Sequence, residues 1–274
     1  IAFYTSPDLK TWEFASRIEG YYECPELFEL PVDGNPADTR WVVYAADGDY
    51  AIGHFDGRKF VAESGKHRFY HSDCFYASQT FNNIPSEDGR RIQIAWGRAG
   101  HPEMPFNQMM GFPVELTLRT TEEGIRLFAL PIREIESLYR VRYAWDHLTI
   151  PEGSLALDEV AGELFDLSLD LHPDDATAAG VKIHGVPVTY DCVKRELSCL
   201  GKSAPLSPVN GRIQLRVLVD RLSLEVFAND GRVYLPVCAI LPVGSQGVAL
   251  FAQSGAAVAT RLEIHELRSA WEPA

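Results

Sequence analysis

One carboxylic acid in an aromatic setting is where this chain has the makings of chemistry. Glu23 stands in the run Tyr21-Tyr22-Glu23-Cys24-Pro25-Glu26-Leu27-Phe28, between two tyrosines and a Cys-Pro pair. The apolar residues that follow have the pattern of a strand, which places Glu23 at the strand's mouth and not out in a solvated loop. Aromatic faces with few charges nearby disfavour an ionised carboxylate, so its pKa is expected to be raised. A carboxyl that keeps its proton near neutral pH is what a general acid requires. The alternative for an isolated Glu-Cys-Pro is a strand-edge carboxylate left in solvent.

Three further runs lie downstream. Asp73 to Phe81 is D-C-F-Y-A-S-Q-T-F, Gly89 to Trp96 is G-R-R-I-Q-I-A-W, and Met104 to Leu118 is M-P-F-N-Q-M-M-G-F-P-V-E-L-T-L. In order and spacing, these runs and the Glu23 stretch together resemble glycoside hydrolase family 32, the family of invertases, inulinases and levanases. The resemblance is strong from about Ile1 to about Leu138 and looser beyond. It implies a retaining hydrolase of terminal β-fructofuranosyl units in sucrose, inulin or levan. Such enzymes place two carboxyl groups about 5–5.5 Å apart across the scissile bond. Glu23 matches the family's acid, which later acts as base. The family's nucleophile is an Asp in a Trp-x-Asn-Asp-Pro-Asn-Gly-like stretch, and a third carboxylate in an Arg-Asp-Pro triplet grips sugar hydroxyls. Neither an Asn-Asp-Pro nor an Arg-Asp-Pro occurs in the 274 residues.

The same resemblance nominates substrate contacts. Asp73, Tyr76 and Gln79 match a stretch that borders the pocket, although Cys74 separates Asp73 from Phe75 where relatives often read Asp-Phe-Tyr-Ala. Asp73 is otherwise a solvated loop residue, and Tyr76 and Gln79 are otherwise strand packing and a satisfied amide. Trp96 ends an apolar strand, where its indole can lie flat on a furanose or cap the core. Asn107 and Gln108 sit in a run resembling a pocket-rim loop of the levanase and inulinase branch, and their amides suit hydroxyl groups. His54, His67, His71 and His101 are scattered and are expected on the surface or in loops. Glu225 has the look of a catalytic carboxylate, but a surface or inter-domain position is expected for it.

A formal net charge of -13, with 46% hydrophobic and 23% charged residues, describes a globular chain without the clustered cations that nucleic acids or anionic membranes require. A neutral sugar suits that balance. No apolar run approaches the ~20 residues of a membrane span. The five cysteines (24, 74, 192, 199 and 238) contain no C-x-x-C and form no metal set; no metal or cofactor is expected. Cys192 and Cys199 flank a turn and could face each other across a hairpin, but two buried free thiols are the reading preferred.

Alternating apolar patterns and turn residues make the chain all-β. Two short strands around Pro7-Asp8 precede two meanders of four strands, the first with breaks at Gly34-Asn35-Pro36, Asp47-Gly48-Asp49 and Asp56-Gly57. Periodicity alone does not separate propeller blades from a sandwich. The resemblance implies a five-bladed β-propeller, of which residues 1–138 would supply about two and a half blades, followed by a β-sandwich over 139–274 joined through a short helical connector at Arg133 to Tyr139. Pro173 to Ala179 has the composition of a mobile loop tip. Because the chain opens on Ile1-Ala2-Phe3-Tyr4, a strand-like run without a start signal, it is expected to be a fragment, inactive alone and prone to self-association through an open propeller edge. Its localisation is not legible. The alternative is a truncated, non-catalytic module that binds carbohydrate or protein.

Overall fold

A computed structural model describes residues 1–101, 105–241 and 247–271; Met104, which opens the fourth run, lies outside them. The described elements are strands throughout except for one 3-10 turn, Arg133–Leu138. The residues group into two compact units. The first comprises Ile1–Phe69, Phe75–Trp96 and Met110–Ala129; the second comprises Tyr70–Cys74, Gly97–Met109 and Leu130–Ala274.

Twelve strands precede the 3-10 turn. They are β1 (Ala2–Thr5), β2 (Glu13–Arg17), β3 (Glu26–Val32), β4 (Asn35–Tyr44), β5 (Asp49–Phe55), β6 (Phe60–Ala62), β7 (His67–Arg68), β8 (Phe75–Thr80), β9 (Arg91–Gly97), β10 (Met109–Met110), β11 (Val114–Thr121) and β12 (Gly124–Pro131). β1 and β2 form a sheet of their own, while the other ten make one sheet built from two antiparallel meanders. The meanders join where Leu118 of β11 lies parallel to Val32 of β3 and the Asp33 N–H donates to the Leu118 carbonyl at 2.9 Å. β3 shows why the pattern folds this way: Phe28, Leu30 and Val32 are buried while Glu29 between them is exposed, the period-2 alternation of a half-buried strand. Its turn is tighter than the Gly34-Asn35-Pro36 break expected. Asp33 and Gly34 carry φ of 51° and 71°, so two left-handed residues close the hairpin and β4 begins at Asn35.

After the turn come β13 (Tyr139–Ile150), β14 (Gly153–Leu157), β15 (Phe165–His172), β16 (Ala178–Ile183), β17 (Val186–Asp191), β18 (Glu196–Cys199), β19 (Lys202–Pro205), β20 (Ile213–Asp220), β21 (Ser223–Ala228), β22 (Val233–Cys238), β23 (Val248–Gln253) and β24 (Ala257–Leu267). They form two six-stranded sheets, β13-β24-β15-β20-β21-β22 and β14-β23-β16-β17-β18-β19. Phe165, Leu167, Leu169 and Leu171 of β15 meet Val181 and Ile183 of β16 and Leu250 of β23 in one apolar core, as a sandwich requires. On the opposite face of β15, Asp166 is 2% exposed. The Arg216 guanidinium grips it at 3.0 and 2.6 Å and the Tyr139 hydroxyl donates to it at 2.8 Å, which supplies the partners a buried carboxylate needs.

Several expectations change here. Glu225 is not on the surface: it is fully buried and accepts the Tyr234 hydroxyl at 2.6 Å. The Pro173 to Ala179 loop is fastened, since Ala176 is buried and the Ala256 N–H donates to Asp175 Oδ1 at 2.7 Å. Cys192 and Cys199 are free thiols as expected, the first half-buried and the second buried, but Cys74 and Cys238 form an unexpected disulfide with Cα atoms 5.5 Å apart. That bond ends a short parallel addition to β22. Tyr70 pairs with Tyr234, and the His71 N–H donates to the Tyr234 carbonyl at 3.0 Å.

Candidate functional site

Glu23 sits on the loop that enters β3, and its backbone is left-handed (φ 51°), as is that of Cys24 (φ 37°). Residues other than glycine seldom occupy this region. Ala46, just beyond β4, holds the loop in place. Its N–H donates to the carbonyls of Tyr22 (3.2 Å) and Glu23 (3.1 Å), and its own carbonyl accepts the N–H of Ala77 at 2.9 Å. Ala77, inside β8, is left-handed too (φ 50°). One short segment therefore fixes both the loop of Glu23 and the strand of Tyr76. Backbone outliers of this kind gather where a side chain must be aimed.

The Tyr76 hydroxyl donates to Glu23 Oε2 at 2.5 Å. That hydrogen bond, with the carboxylate's charge, pushes the phenol's pKa up to about 12. The Trp96 ring meets Tyr76 edge-on, centroids 6.3 Å apart and planes at 76°. At 40% exposure its indole is open, not a cap on the core. Gln79 turns its amide to the carbonyls of Cys24 (3.4 Å) and Ser78 (3.1 Å). Glu23, Tyr76, Gln79 and Trp96 thus come together in the first unit, with Tyr22 63% exposed beside them. Glu23 itself is exposed. Among the described residues the expected apolar enclosure does not surround Glu23, and the phenol of Tyr76 stands beside it instead. Such an exposed carboxylate can pass a proton to or from an oxygen brought within hydrogen-bond reach.

Asp73, Asn107 and Gln108 belong to the second unit. Asp73 is exposed and pairs with Lys202 at 2.9 Å, whose ammonium holds its pKa below the usual carboxylate range. Asn107 spends its side-chain oxygen on its own loop, accepting the N–H groups of His101 (3.0 Å) and Gln108 (3.1 Å). Gln108 is left-handed (φ 75°), and its buried Oε1 has no hydrogen-bond partner among the described residues. The histidines play structural parts: His54 pairs with Glu63 at 2.6 Å, and the His67 ring meets the Ser64 hydroxyl at 2.7 Å while burial pushes its pKa down. No group of three or more His, Cys, Asp or Glu side chains is placed to hold a metal among the described residues.

Sequence reasoning missed the Tyr76–Glu23 bond, the bridging role of Ala46 and the Cys74–Cys238 pair. Cys74, interrupting the Asp-Phe-Tyr-Ala run, was the one visible signal of the last.

Comparison with known proteins gives a consistent result. Residues 1–131 match the Glycosyl hydrolases family 32 N-terminal domain, and residues 134–266 match the Glycosyl hydrolases family 32 C terminal domain. A levanase of Bacillus subtilis (strain 168) is 32% identical over 99% of this chain, which covers 47% of that protein. The chain spans about half the length of this relative. The crystal structure of exo-inulinase from Aspergillus awamori superposes with a TM-score of 0.85 at 24% identity, over 98% of this chain and 62% of that one. The β-fructofuranosidase of Schwanniomyces occidentalis, solved in complex with fructosyl-erythritol, superposes at 0.81 with 18% identity, covering 98% of this chain and 65% of that one. At these identities the likeness concerns the fold, an all-β chain of curled sheet followed by a sandwich. Two adjoining domain matches and a levanase aligned along nearly the whole chain place this protein in glycosyl hydrolase family 32.

Proposed function

We propose that this chain carries the acid/base half of a retaining hydrolase that removes terminal β-fructofuranosyl units from sucrose, inulin or levan. The observation that carries it is the presentation of Glu23: an exposed carboxyl on a left-handed loop, anchored through Ala46 and held by the Tyr76 hydroxyl at 2.5 Å. Family membership and the levanase relative support the same chemistry. Glu23 gives its proton to the glycosidic oxygen as the bond to the anomeric carbon breaks, and its carboxylate later takes a proton from the attacking water. Tyr76 and Gln79 orient the loop, and Trp96 contacts the sugar. The attacking carboxylate belongs to an Asn-Asp-Pro stretch that these 274 residues do not contain. Without it no covalent fructosyl intermediate forms, so the polypeptide by itself releases no fructose. On this proposal residues 1–138 are about two and a half blades of a five-bladed propeller and 139–274 the sandwich domain. The exposed Tyr4, Trp12 and Phe14 of the β1–β2 hairpin support the further proposal that the chain self-associates through a propeller edge.

The missing Asn-Asp-Pro and Arg-Asp-Pro triplets favour a second reading, a non-catalytic module that binds sugar or protein. Fructose release from sucrose, inulin and levan separates the two, assayed on this chain, on the full gene product and on its Glu23→Gln variant. A full product that turns over none of the three leaves only the binding module. Equal rates with and without the Gln substitution remove Glu23 from the mechanism.

A further inference from the structure

The Cys74–Cys238 disulfide joins positions 164 residues apart, and nothing in the fructosidase chemistry calls for it. Its surroundings are specific. The bonded segment runs parallel to β22, held at one end by the Tyr70–Tyr234 bridge and at the other by the sulfurs. Between them, the Asp73 side chain meets Lys202 at 2.9 Å. Arg98 closes the segment from the other side: its N–H donates to the Cys74 carbonyl at 2.8 Å and its guanidinium donates to the Asp73 carbonyl. Along the chain, Asp73 directly precedes Cys74, Tyr76 follows it by two residues, and Trp96 precedes Arg98 by two.

We propose that Cys74 and Cys238 are positioning residues, and that their disulfide fixes the segment presenting Asp73 and opening the strand of Tyr76, so that turnover depends on the bond being oxidised. The proposal rests on the fructosidase assignment above. The chemistry balances as exchange. Two thiols give up two protons and two electrons to an oxidising disulfide and become Cys74–Cys238; a dithiol such as dithiothreitol returns both electrons and both protons and leaves as its own cyclic disulfide. A bond of this kind forms and persists in an oxidising compartment, so the protein is expected to work in one. The cost of losing it follows from geometry, since a displacement of about 1 Å in a catalytic setting lowers turnover about 100-fold.

The experiment uses the full gene product, oxidised, reduced with dithiothreitol, and as Cys238→Ser. Peptide mapping without reductant should recover the Cys74–Cys238 cross-linked peptide; two free thiols in protein folded under oxidising conditions would overturn the proposal. Reduction should lower kcat/KM for sucrose or inulin about 10- to 100-fold, with the protein still folded by circular dichroism, and Cys238→Ser should match the reduced protein and gain nothing from dithiothreitol. A second readout needs no activity: the ring-carbon resonance of Tyr76, assigned with Tyr76→Phe, should titrate at lower pH once the cross-link is cut and Tyr76 is less firmly held. Should Cys238→Ser fail to fold, reduced wild type supplies both measurements. Unchanged kinetics and an unchanged Tyr76 titration after reduction would sink the positioning role. An oxidised protein that releases no fructose would instead sink the fructosidase assignment, and the Tyr76 titration would still judge the cross-link.

Discussion

The two units spend their apolar residues differently. In the sandwich, inward residues from both sheets close into one core, and Leu167, Leu169, Val181, Leu250 and Leu262 are buried to 1% exposure or less. The first unit leaves large rings outside, with Tyr4, Trp12, Phe14 and Tyr22 all more than half exposed. Left-handed non-glycine residues occur in both units, at Glu23, Cys24 and Ala77 in the first and at Arg195, Leu200 and Ser254 in the second. The sandwich gathers its apolar residues into one large core, whereas the first unit, beside its own buried strands, leaves several large aromatic rings in solvent. Family membership runs along the whole chain, whereas the carboxylate proposed as acid and base lies in the first unit.

That contrast can be broken by measurement. The largest effect is expected in the sandwich core: Leu167→Ala should cost about 2–5 kcal/mol in urea unfolding, whereas Trp12→Ala in the β1–β2 hairpin should stay within about 0.5 kcal/mol. Similar losses at both would erase the difference. For turnover the order reverses. Glu23→Gln in the full gene product should lower kcat about 100-fold or more, with the unfolding midpoint essentially unmoved.

Smaller effects sharpen the same point. The Tyr76 phenol, pushed up to about 12 by the carboxylate it serves, should titrate nearer the ordinary tyrosine value in Glu23→Gln, because a neutral amide no longer favours the protonated phenol. In the sandwich, Glu263 is held well below the usual carboxylate range. The chief cause is the hydrogen bond from Arg142 (3.0 and 3.1 Å), with help from Arg261 and His265. A depressed folded-state pKa contributes stability that is present above the unfolded value, near 4.5, and is lost as pH falls below it. Melting temperature should therefore drop on acidification below about that pH, and Glu263→Gln should flatten the drop. The smallest effect is chemical: a thiol reagent at neutral pH should label exposed Cys24 readily and leave Cys199 untouched until unfolding, because burial pushes the Cys199 thiol up to about 12.

Local pattern carried much of this protein. The period-2 alternation of β3 and β15, the turn residues at Asp47-Gly48-Asp49 and Asp56-Gly57, and the spacing around Glu23 all lie within runs of ten residues or so. Such signals depend on the backbone's own geometry and do not wait for distant partners. By contrast, Tyr76 reaches Glu23 across 53 residues, and Cys74 reaches Cys238 across 164. Glu225 found burial and the Tyr234 hydroxyl instead of the surface, and the expected enclosure of Glu23 gave way to exposure. Composition could nominate these groups, but only the meeting of strands far apart in the chain decides which polar group lies beside another and how much water remains between them. The amino-acid order therefore settled the strands and singled out the carboxyl group, whereas tertiary packing chose its hydrogen-bond donor, its access to solvent and the disulfide that ends the Tyr70–Cys74 segment.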